Sequence, residues 1–215
     1  MDETTSREKV LKSIRNSLLG KTPNPYANVD LESKIYHELD ESLALNFAQE
    51  FTNLGGKFIY CEDEKDLESV LKHFFDNEEV QPLFCADISL KRILKTIEVP
   101  FIEKSTELKS LKSAITSCEF LIARFGSVMV SSGQESGRRL NFFPEKHIVI
   151  AYASQLVPET KDALISMREK YNGKLPSMIT QISGASRTAD IEKTLVKGMH
   201  GPKEIYVFFV DDIIE

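Results

Sequence analysis

The chain has 215 residues, a mass of 24.4 kDa and a formal net charge of −6. Hydrophobic residues make up 41% and charged residues 28% of it, a balance that fills and covers a core and therefore excludes wholesale disorder. The acidic charge also argues against a general nucleic-acid binder, whose affinity depends on a basic surface.

The sequence shows no sign of membrane insertion or secretion. No apolar run approaches the roughly 20 residues of a membrane span, and the acidic start Met1–Glu3 lacks the apolar segment of a secretory signal. We therefore expect a cytoplasmic protein.

The cysteines give no metal-binding pattern. Cys61, Cys85 and Cys118 form no CxxC pair and no cysteine–histidine pair at zinc spacing. An iron–sulfur cluster usually needs a closely spaced set of thiolates, so we expect this chain to hold no cluster. The cysteines are predicted to be small buried side chains of the core, with a redox role as the alternative.

The N-terminal region is predicted to be a helical arm. Ser6–Leu19 carries apolar side chains at helical spacing and is followed by Gly20, which is typical of a helix end. Two prolines and no periodicity in residues 21–28 predict a linker. Residues 1–28 are accordingly assigned to an arm and residues 29–215 to the main domain.

The first half of the main domain alternates helices and strands, which implies a parallel sheet with helices on its faces. The elements predicted there are a helix over Leu31–Leu54, a strand over Lys57–Cys61, a helix over Glu62–Asp76, a strand over Pro82–Cys85, a helix over Ile88–Ile97 and an edge strand over Val99–Ile102.

The second half begins with two successive strands, Phe120–Ala123 and Ser127–Ser131, which predict an antiparallel hairpin inserted into or beside the parallel sheet. The pattern as a whole predicts an α/β domain of three layers with a mostly parallel sheet. The remaining predicted elements are a strand over His147–Tyr152, a helix over Pro158–Tyr171, a strand over Ser177–Ile182, a helix over Thr188–Val196 and a strand over Glu204–Val210.

The turn between the predicted strand Ser177–Ile182 and the predicted helix Thr188–Val196 suggests an anion site. Gly184, Ser186, Arg187 and Thr188 follow a predicted strand, where a helix start would offer free amides and an arginine fork to a carboxylate or phosphate. The alternative is a capped helix start, with Thr188 as N-cap and Arg187 as a surface charge. Asp190 then either stabilises the helix through its dipole or orients an arginine.

Three residues outside this turn are further candidates. His200 lies in a tight turn and could act as an acid or base or cap a helix, although strand polarity predicts that it lies at the opposite end of the sheet from Arg187. One of Arg138 and Arg139 is expected to face an anion or an acidic partner, with the other solvated, and Arg138 is the candidate. Gly126 allows close backbone approach, either to a ligand or within a tight bend.

Two blocks of the sequence resemble a known family. Ser183–Pro202 is similar to the signature SGPSxTADIExxLVxGxHGP of the LutC-type lactate utilization (LUD domain) family, with Ala185 in place of the usual proline. Gly137–Ile148 resembles a second block of that family, GRxxxLLPxxHI. A third block departs from the family, because Arg124 and Phe125 stand where AETGT or AESGT has an acidic and a hydroxyl residue.

The resemblance implies a fold similar to the NagB/RpiA/CoA transferase-like group and a part in oxidising L-lactate to pyruvate. The chain would then be a component of an iron–sulfur type L-lactate dehydrogenase complex, binding a small carboxylate or a redox partner while partner subunits hold the clusters. The candidates carried onto the matching residues are Gly126, Arg138, Gly184, Ser186, Arg187, Thr188, Asp190 and His200.

Two other functions stay open. The anion loop also suits an independent enzyme of the same fold group that acts on a phosphorylated or acyl-activated metabolite. The departure at Arg124 suits a non-catalytic regulatory or scaffold protein whose site has changed.

Overall fold

A computed structural model of the chain describes residues 5–20, 36, 39, 42–103, 111–189, 195–198 and 200–213. It contains two units, Met1–Glu38 and Leu39–Glu215, and the predicted boundary after residue 28 lies outside the described residues. In the first unit, helix α1 spans Ser6–Leu19 as predicted and ends at Gly20. Its N-cap is Thr5, whose hydroxyl accepts a hydrogen bond from the amide of Glu8.

The second unit is an α/β domain in which helices and strands alternate through the first half. Its described helices are α2 Leu43–Asn53, α3 Glu64–Asn77, α4 Ile88–Thr96 and α5 Thr160–Lys170. Its described strands are β1 Lys57–Cys61, β2 Leu83–Cys85, β3 Ser113–Ser117, β4 Phe120–Ile122, β5 Ser127–Ser131, β6 Lys146–Tyr152, β7 Leu156–Val157, β8 Ile179–Ile182, β9 Arg187–Ala189, β10 Leu195–Lys197 and β11 Glu204–Val210.

The principal sheet has five parallel strands in the order β1–β11–β6–β3–β2. Its central strands are rich in Val, Ile and Phe, as expected for strands that are covered on both faces. The last strand in the chain, β11, lies between β1 and β6, with Ile59 opposite Phe208 and Tyr206 opposite Ile148. The prediction of a mostly parallel sheet is therefore confirmed.

A second sheet holds the predicted hairpin. Its order is β7–β4–β5–β8, in which β4 and β5 are antiparallel and are joined by a 3₁₀ turn over Ala123–Phe125. β8 pairs with β5 antiparallel, with Ile182 opposite Val128. The hairpin thus lies in a sheet of its own beside the parallel sheet.

Apolar side chains cover both faces of the principal sheet. On one face, residues of α3 and α4 such as Leu71 and Leu94 pack with Ile150 and Phe208. On the other face, Phe47 and Phe51 of α2 stack on each other at 5.4 Å and join a cluster shared with the second sheet. The cysteines are buried in these clusters, which confirms that they are core residues.

Some predicted elements differ from the structure. The helix predicted over Leu31–Leu54 is too long, because the hydroxyl of Ser42 accepts a hydrogen bond from the amide of Leu45 and caps α2 there. The described residues 36 and 39 are not helical, and the rest of residues 31–41 lies outside the described part.

Two strand assignments also change. The edge strand predicted over Val99–Ile102 is reduced to a single bridge between Ile102 and Phe84. Strand β3, Ser113–Ser117, was not predicted, because three of its five residues are Ser or Thr and it therefore lacks an apolar pattern. Within the described residues, no helix is both long and apolar enough to cross a membrane.

Candidate functional site

The turn with the family signature leads into a hairpin, and the helix predicted over Thr188–Val196 is wrong. Arg187–Ala189 pairs antiparallel with Leu195–Lys197, so residue 188 lies in a strand and is not an N-cap. The Gly198 amide donates to the carbonyl of Ser186 at 3.0 Å and holds the two ends side by side. A helix of nine residues would separate those ends by about 13 Å. Asp190 lies outside the described residues.

The hairpin brings together two turns that were predicted to lie at opposite ends of the sheet. The Ser186 amide donates to the carbonyl of Pro202 at 2.8 Å, and a Cβ on Gly201 would lie 3.1 Å from that of Ser186. Because Pro202 lies two residues before the start of β11 at Glu204, both turns lie at the amino edge of the principal sheet. The expected placement at a carboxyl edge is therefore wrong, and so is the separation of His200 from Arg187. The side chain of His200 is exposed.

Arg187 contacts the end of a helix. Its Nη2 donates to the carbonyl oxygen of Leu54 at 2.7 Å, and a Cβ on Gly55 would lie 2.3 Å from that nitrogen. The guanidinium thus satisfies a carbonyl at the negative end of α2, where a cation is favoured. This contact supports the surface-charge alternative for Arg187, with a helix-capping role added.

Two of the candidate glycines are required by close backbone approach to the same helix end. Gly126 has a φ of +51°, and a Cβ there would lie 2.1 Å from the backbone nitrogen of Phe51. Gly184 has a φ of +78°, and a Cβ there would lie 2.5 Å from the carbonyl oxygen of Leu54. Of the two possibilities open for Gly126, the structure therefore shows close packing within the fold.

A cleft of about 470 Å³ lies beside the signature turn. Ser183 lines it together with Leu54, Arg124 and Phe125. The Arg124 guanidinium is ion-paired with Glu159, Nη2 to Oε1 at 2.9 Å, and Glu159 is the residue that precedes α5. Arg124, which departs from the family pattern, is thus held in place by an ion pair within the fold.

Arg138 lies away from the signature turn. Its guanidinium is exposed and donates to the hydroxyl of Ser177, just before β8. The structure therefore brings Gly126, Gly184, Ser186 and Arg187 together around the end of α2, whereas Arg138 belongs to another surface.

A second cleft, which no sequence motif indicated, lies at the carboxyl edge of the principal sheet. We name it the carboxyl-edge cleft. It is formed where β2 and β3 end and has a volume of about 410 Å³. The residues that line it and carry polar side chains are Asp87, Ser89, Ser117, Gln134, Glu135, Lys170 and Tyr171.

A buried carboxylate fixes one wall of the carboxyl-edge cleft. Glu119 is buried and accepts hydrogen bonds from Lys170 Nζ at 2.7 Å, Tyr171 Oη at 2.7 Å and Ser131 Oγ at 2.5 Å. Burial alone would raise the pKa of Glu119, but these hydrogen bonds outweigh it and the pKa lies below its usual value. Glu119 is therefore an anion that holds the ammonium group of Lys170 in place.

Asp87 also lines this cleft. It is 2% exposed and occupies the N-cap of α4, yet its side chain makes no capping bond there. Its Oδ2 instead accepts a hydrogen bond from the Ser117 amide at 2.6 Å, and burial raises the pKa of its carboxyl. The α4 amide of Ile88 is taken by Glu135 Oε2 at 2.6 Å.

Another buried polar residue belongs to the second family block. His147 is fully buried in β6, and its Nε2 lies 2.8 Å from Thr116 Oγ1 in β3. Burial lowers the pKa of His147 to about 4, so the ring is neutral near neutral pH. Its position in the core of the sheet indicates a structural role.

The fold and the signature hairpin together define a mixed α/β domain with a mostly parallel sheet. A family model described as LUD domain matches residues 45–210, from the first turn of α2 to the end of β11. The chain belongs to the LUD domain family.

Curated relatives match parts of the same domain, and a solved structure shares its fold. Lactate utilization protein C 1 of Bacillus mycoides is 35% identical over 115 residues, 51% of this chain and 49% of the relative. Lactate utilization protein C of Anoxybacillus flavithermus is 28% identical over 158 residues, 73% and 64% respectively. A DUF162 family protein from Deinococcus radiodurans shares the fold with a TM-score of 0.57 and 16% identity, over 78% of this chain and 96% of that one.

The matches to the two curated relatives differ in length. This chain matches 49% of the length of the Bacillus mycoides protein and 64% of the length of the Anoxybacillus flavithermus protein, less than two thirds in both cases.

Proposed function

We propose that this chain is a component of a lactate utilization system. The observation that carries the proposal is the LUD domain match over residues 45–210, together with relatives that are named lactate utilization protein C. Within that system we propose that the chain binds a small carboxylate and contacts a redox partner.

The buried thiols of this chain support the proposal that iron–sulfur clusters lie on other subunits. Burial raises the pKa of Cys61 and of Cys85 to about 12, and it also raises the pKa of Cys118. A thiol must lose its proton to bind iron or to react, and these thiols are packed among core side chains. We therefore propose that electron transfer takes place on iron–sulfur subunits that associate with this chain.

The signature hairpin, formed by β9 and β10, and the His200 turn that follows it are our candidate for the contact with the iron–sulfur subunits. His200 is exposed. Arg187, next to Ser186 in the turn that is hydrogen-bonded to Pro202, is also exposed, and one of its nitrogens donates to the Leu54 carbonyl. Exposed arginines are common at the centre of protein interfaces.

Growth on lactate tests the role in the cell. A strain that lacks the gene should fail to grow on L-lactate, grow normally on glucose and recover when the gene is restored. Normal growth of the deletion strain on L-lactate would overturn the proposal.

Co-purification tests the partner. The tagged chain should recover proteins that contain iron and labile sulfide. His200→Ala should weaken this recovery, whereas His73→Ala, which alters an exposed histidine of α3, should not. Equal recovery by both variants would exclude the hairpin as the contact.

The described clefts give less support to the alternative of a phosphorylated substrate. The carboxyl-edge cleft contains the carboxylates of Asp87 and Glu135 and the ammonium of Lys170, a charge balance that disfavours a dianion. A thermal-shift panel of nucleotides, sugar phosphates and CoA esters tests that alternative. A specific ligand at 100 times its dissociation constant would add about 2.7 kcal/mol of stability.

A further inference from the structure

We infer that Asn141 and His147 form a buried binding site for a water molecule, which holds the loop between β5 and β6 against the principal sheet. This β5–β6 loop comprises residues 132–145, and its Leu140 and Asn141 are buried. The inference goes beyond the proposed function, because neither its evidence nor its test depends on lactate.

The β5–β6 loop crosses one face of the principal sheet from the carboxyl edge to the amino edge. Near the carboxyl edge, Glu135 accepts a hydrogen bond from the amide of Ile88, three residues after the end of β2. Farther along, Leu140 packs with Phe84 of β2 and Ala114 of β3. The loop then leads into the start of β6. Its middle part therefore covers this face of β2 and β3.

His147 lies on the same face of the sheet. It is opposite Ala114 in the register of β6 and β3, and side chains at paired positions of neighbouring strands point to one face. Thr116 is the next residue of β3 on that face, and its Oγ1 lies 2.8 Å from His147 Nε2. The other ring nitrogen, Nδ1, is buried and has no hydrogen-bond partner among the described residues.

Asn141 brings a second unsatisfied group to this part of the face. It directly follows Leu140, and its side chain is 0% exposed. Neither Oδ1 nor Nδ2 has a hydrogen-bond partner in the described part of the chain, so exchanging the two atoms would satisfy neither. Buried polar groups in native proteins are almost always hydrogen-bonded, because leaving them unsatisfied is costly. We therefore expect a bound molecule to satisfy Asn141.

The available groups select water as that molecule. The amide of Asn141 donates and accepts, and Nδ1 of the neutral His147 ring does one or the other according to its tautomer. An ion would be buried without a counter-charge, since neither side chain has a charged hydrogen-bond partner within the described ranges. Water is small and neutral, both donates and accepts, and typically makes about three hydrogen bonds when it is buried.

NMR of the full chain tests the site directly. We expect a nuclear Overhauser effect between water and the Hε1 proton of His147, with the sign that long-lived bound water gives. Hε1 is chosen because it is next to Nδ1 and does not exchange with solvent. A crystal structure should show one water within hydrogen-bond distance of both Asn141 and His147 Nδ1, about 2.7–3.2 Å.

Asn141→Leu tests the site by the sign of its effect. Loss of the water would leave His147 Nδ1 unsatisfied, so the urea midpoint should fall, whereas removal of a dry buried amide would raise it. The amide of Ile88, which the loop holds through Glu135, should exchange with solvent about tenfold faster. Asn53→Leu, at an exposed position of α2, is the matched control and should change neither quantity.

Three results would each overturn the inference. The first is the lack of a long-lived water signal at Hε1 of His147. The second is a higher urea midpoint for Asn141→Leu. The third is a crystal structure in which Asn141 and His147 bond directly to each other or to a molecule larger than water. The measurements on the unchanged chain decide the matter if Asn141→Leu does not fold.

Discussion

Gly126→Ala should destabilise the domain by about 2–5 kcal/mol. The φ of +51° costs an alanine about 1–2 kcal/mol. The new Cβ would also lie 2.1 Å from the nitrogen of Phe51 and 2.4 Å from the carbonyl carbon of Glu50. Both atoms belong to the backbone of α2, which no rotamer change can move aside, so overpacking adds about 1–3 kcal/mol.

Gly137→Ala is the matched control. Gly137 has a φ of +63°, but a Cβ there meets nothing within 4 Å, so this variant should lose only the conformational part, about 1–2 kcal/mol. Urea unfolding with an unchanged slope measures both variants. Equal losses for the two would refute the close approach between Gly126 and α2, and would reopen a ligand-binding role for Gly126.

Three further predictions concern the side chains of Glu119, His147 and Arg187. The pKa of Glu119 is lowered from 4.5 in the folded state, so the stability that it contributes is complete above pH 4.5 and is lost as the pH falls through the lower folded-state pKa. Urea unfolding at a series of pH values should therefore show a smaller loss of unfolding free energy at acidic pH in Glu119→Gln than in the unchanged chain. The pKa of His147 is lowered from 6.5 to about 4, so the unfolded chain binds the extra proton and stability should fall from pH 6.5 to 4, with a smaller slope in His147→Gln; equal slopes would contradict this. Arg187→Ala should cost up to about 1 kcal/mol of stability by freeing the Leu54 carbonyl and leave lactate binding unchanged; weaker binding at unchanged stability would restore the anion role.

Four of the five strands of the parallel sheet, all but β3, could be predicted because they are short apolar runs. The hairpin at Arg187–Ala189 could not, since the positions after Ser186 suit a helix as well as a strand. The choice is made by hydrogen bonds from residues far along the chain, such as the one from Ser186 to Pro202. Local propensity is a weak guide where such tertiary contacts decide.

The carboxyl-edge cleft could not be predicted for a related reason. Asp87, Ser117, Glu135 and Lys170 come from separate elements and form no contiguous motif. Ser117 ends a strand that the sequence pattern did not reveal, so its neighbours in space were unknown. By contrast, the signature residues are close in sequence, which made them easy to find, yet most of their described contacts are within the fold.

The position of β11 has a consequence for biosynthesis. This strand lies between β1 and β6, and neither of those two pairs with the other. During translation, β1 and β6 emerge first and must wait with open edges until Glu204–Val210 has left the ribosome. Open edges of apolar strands invite association with other chains. We therefore expect nascent chains stalled before residue 204 to depend strongly on chaperones, and chains released there to aggregate.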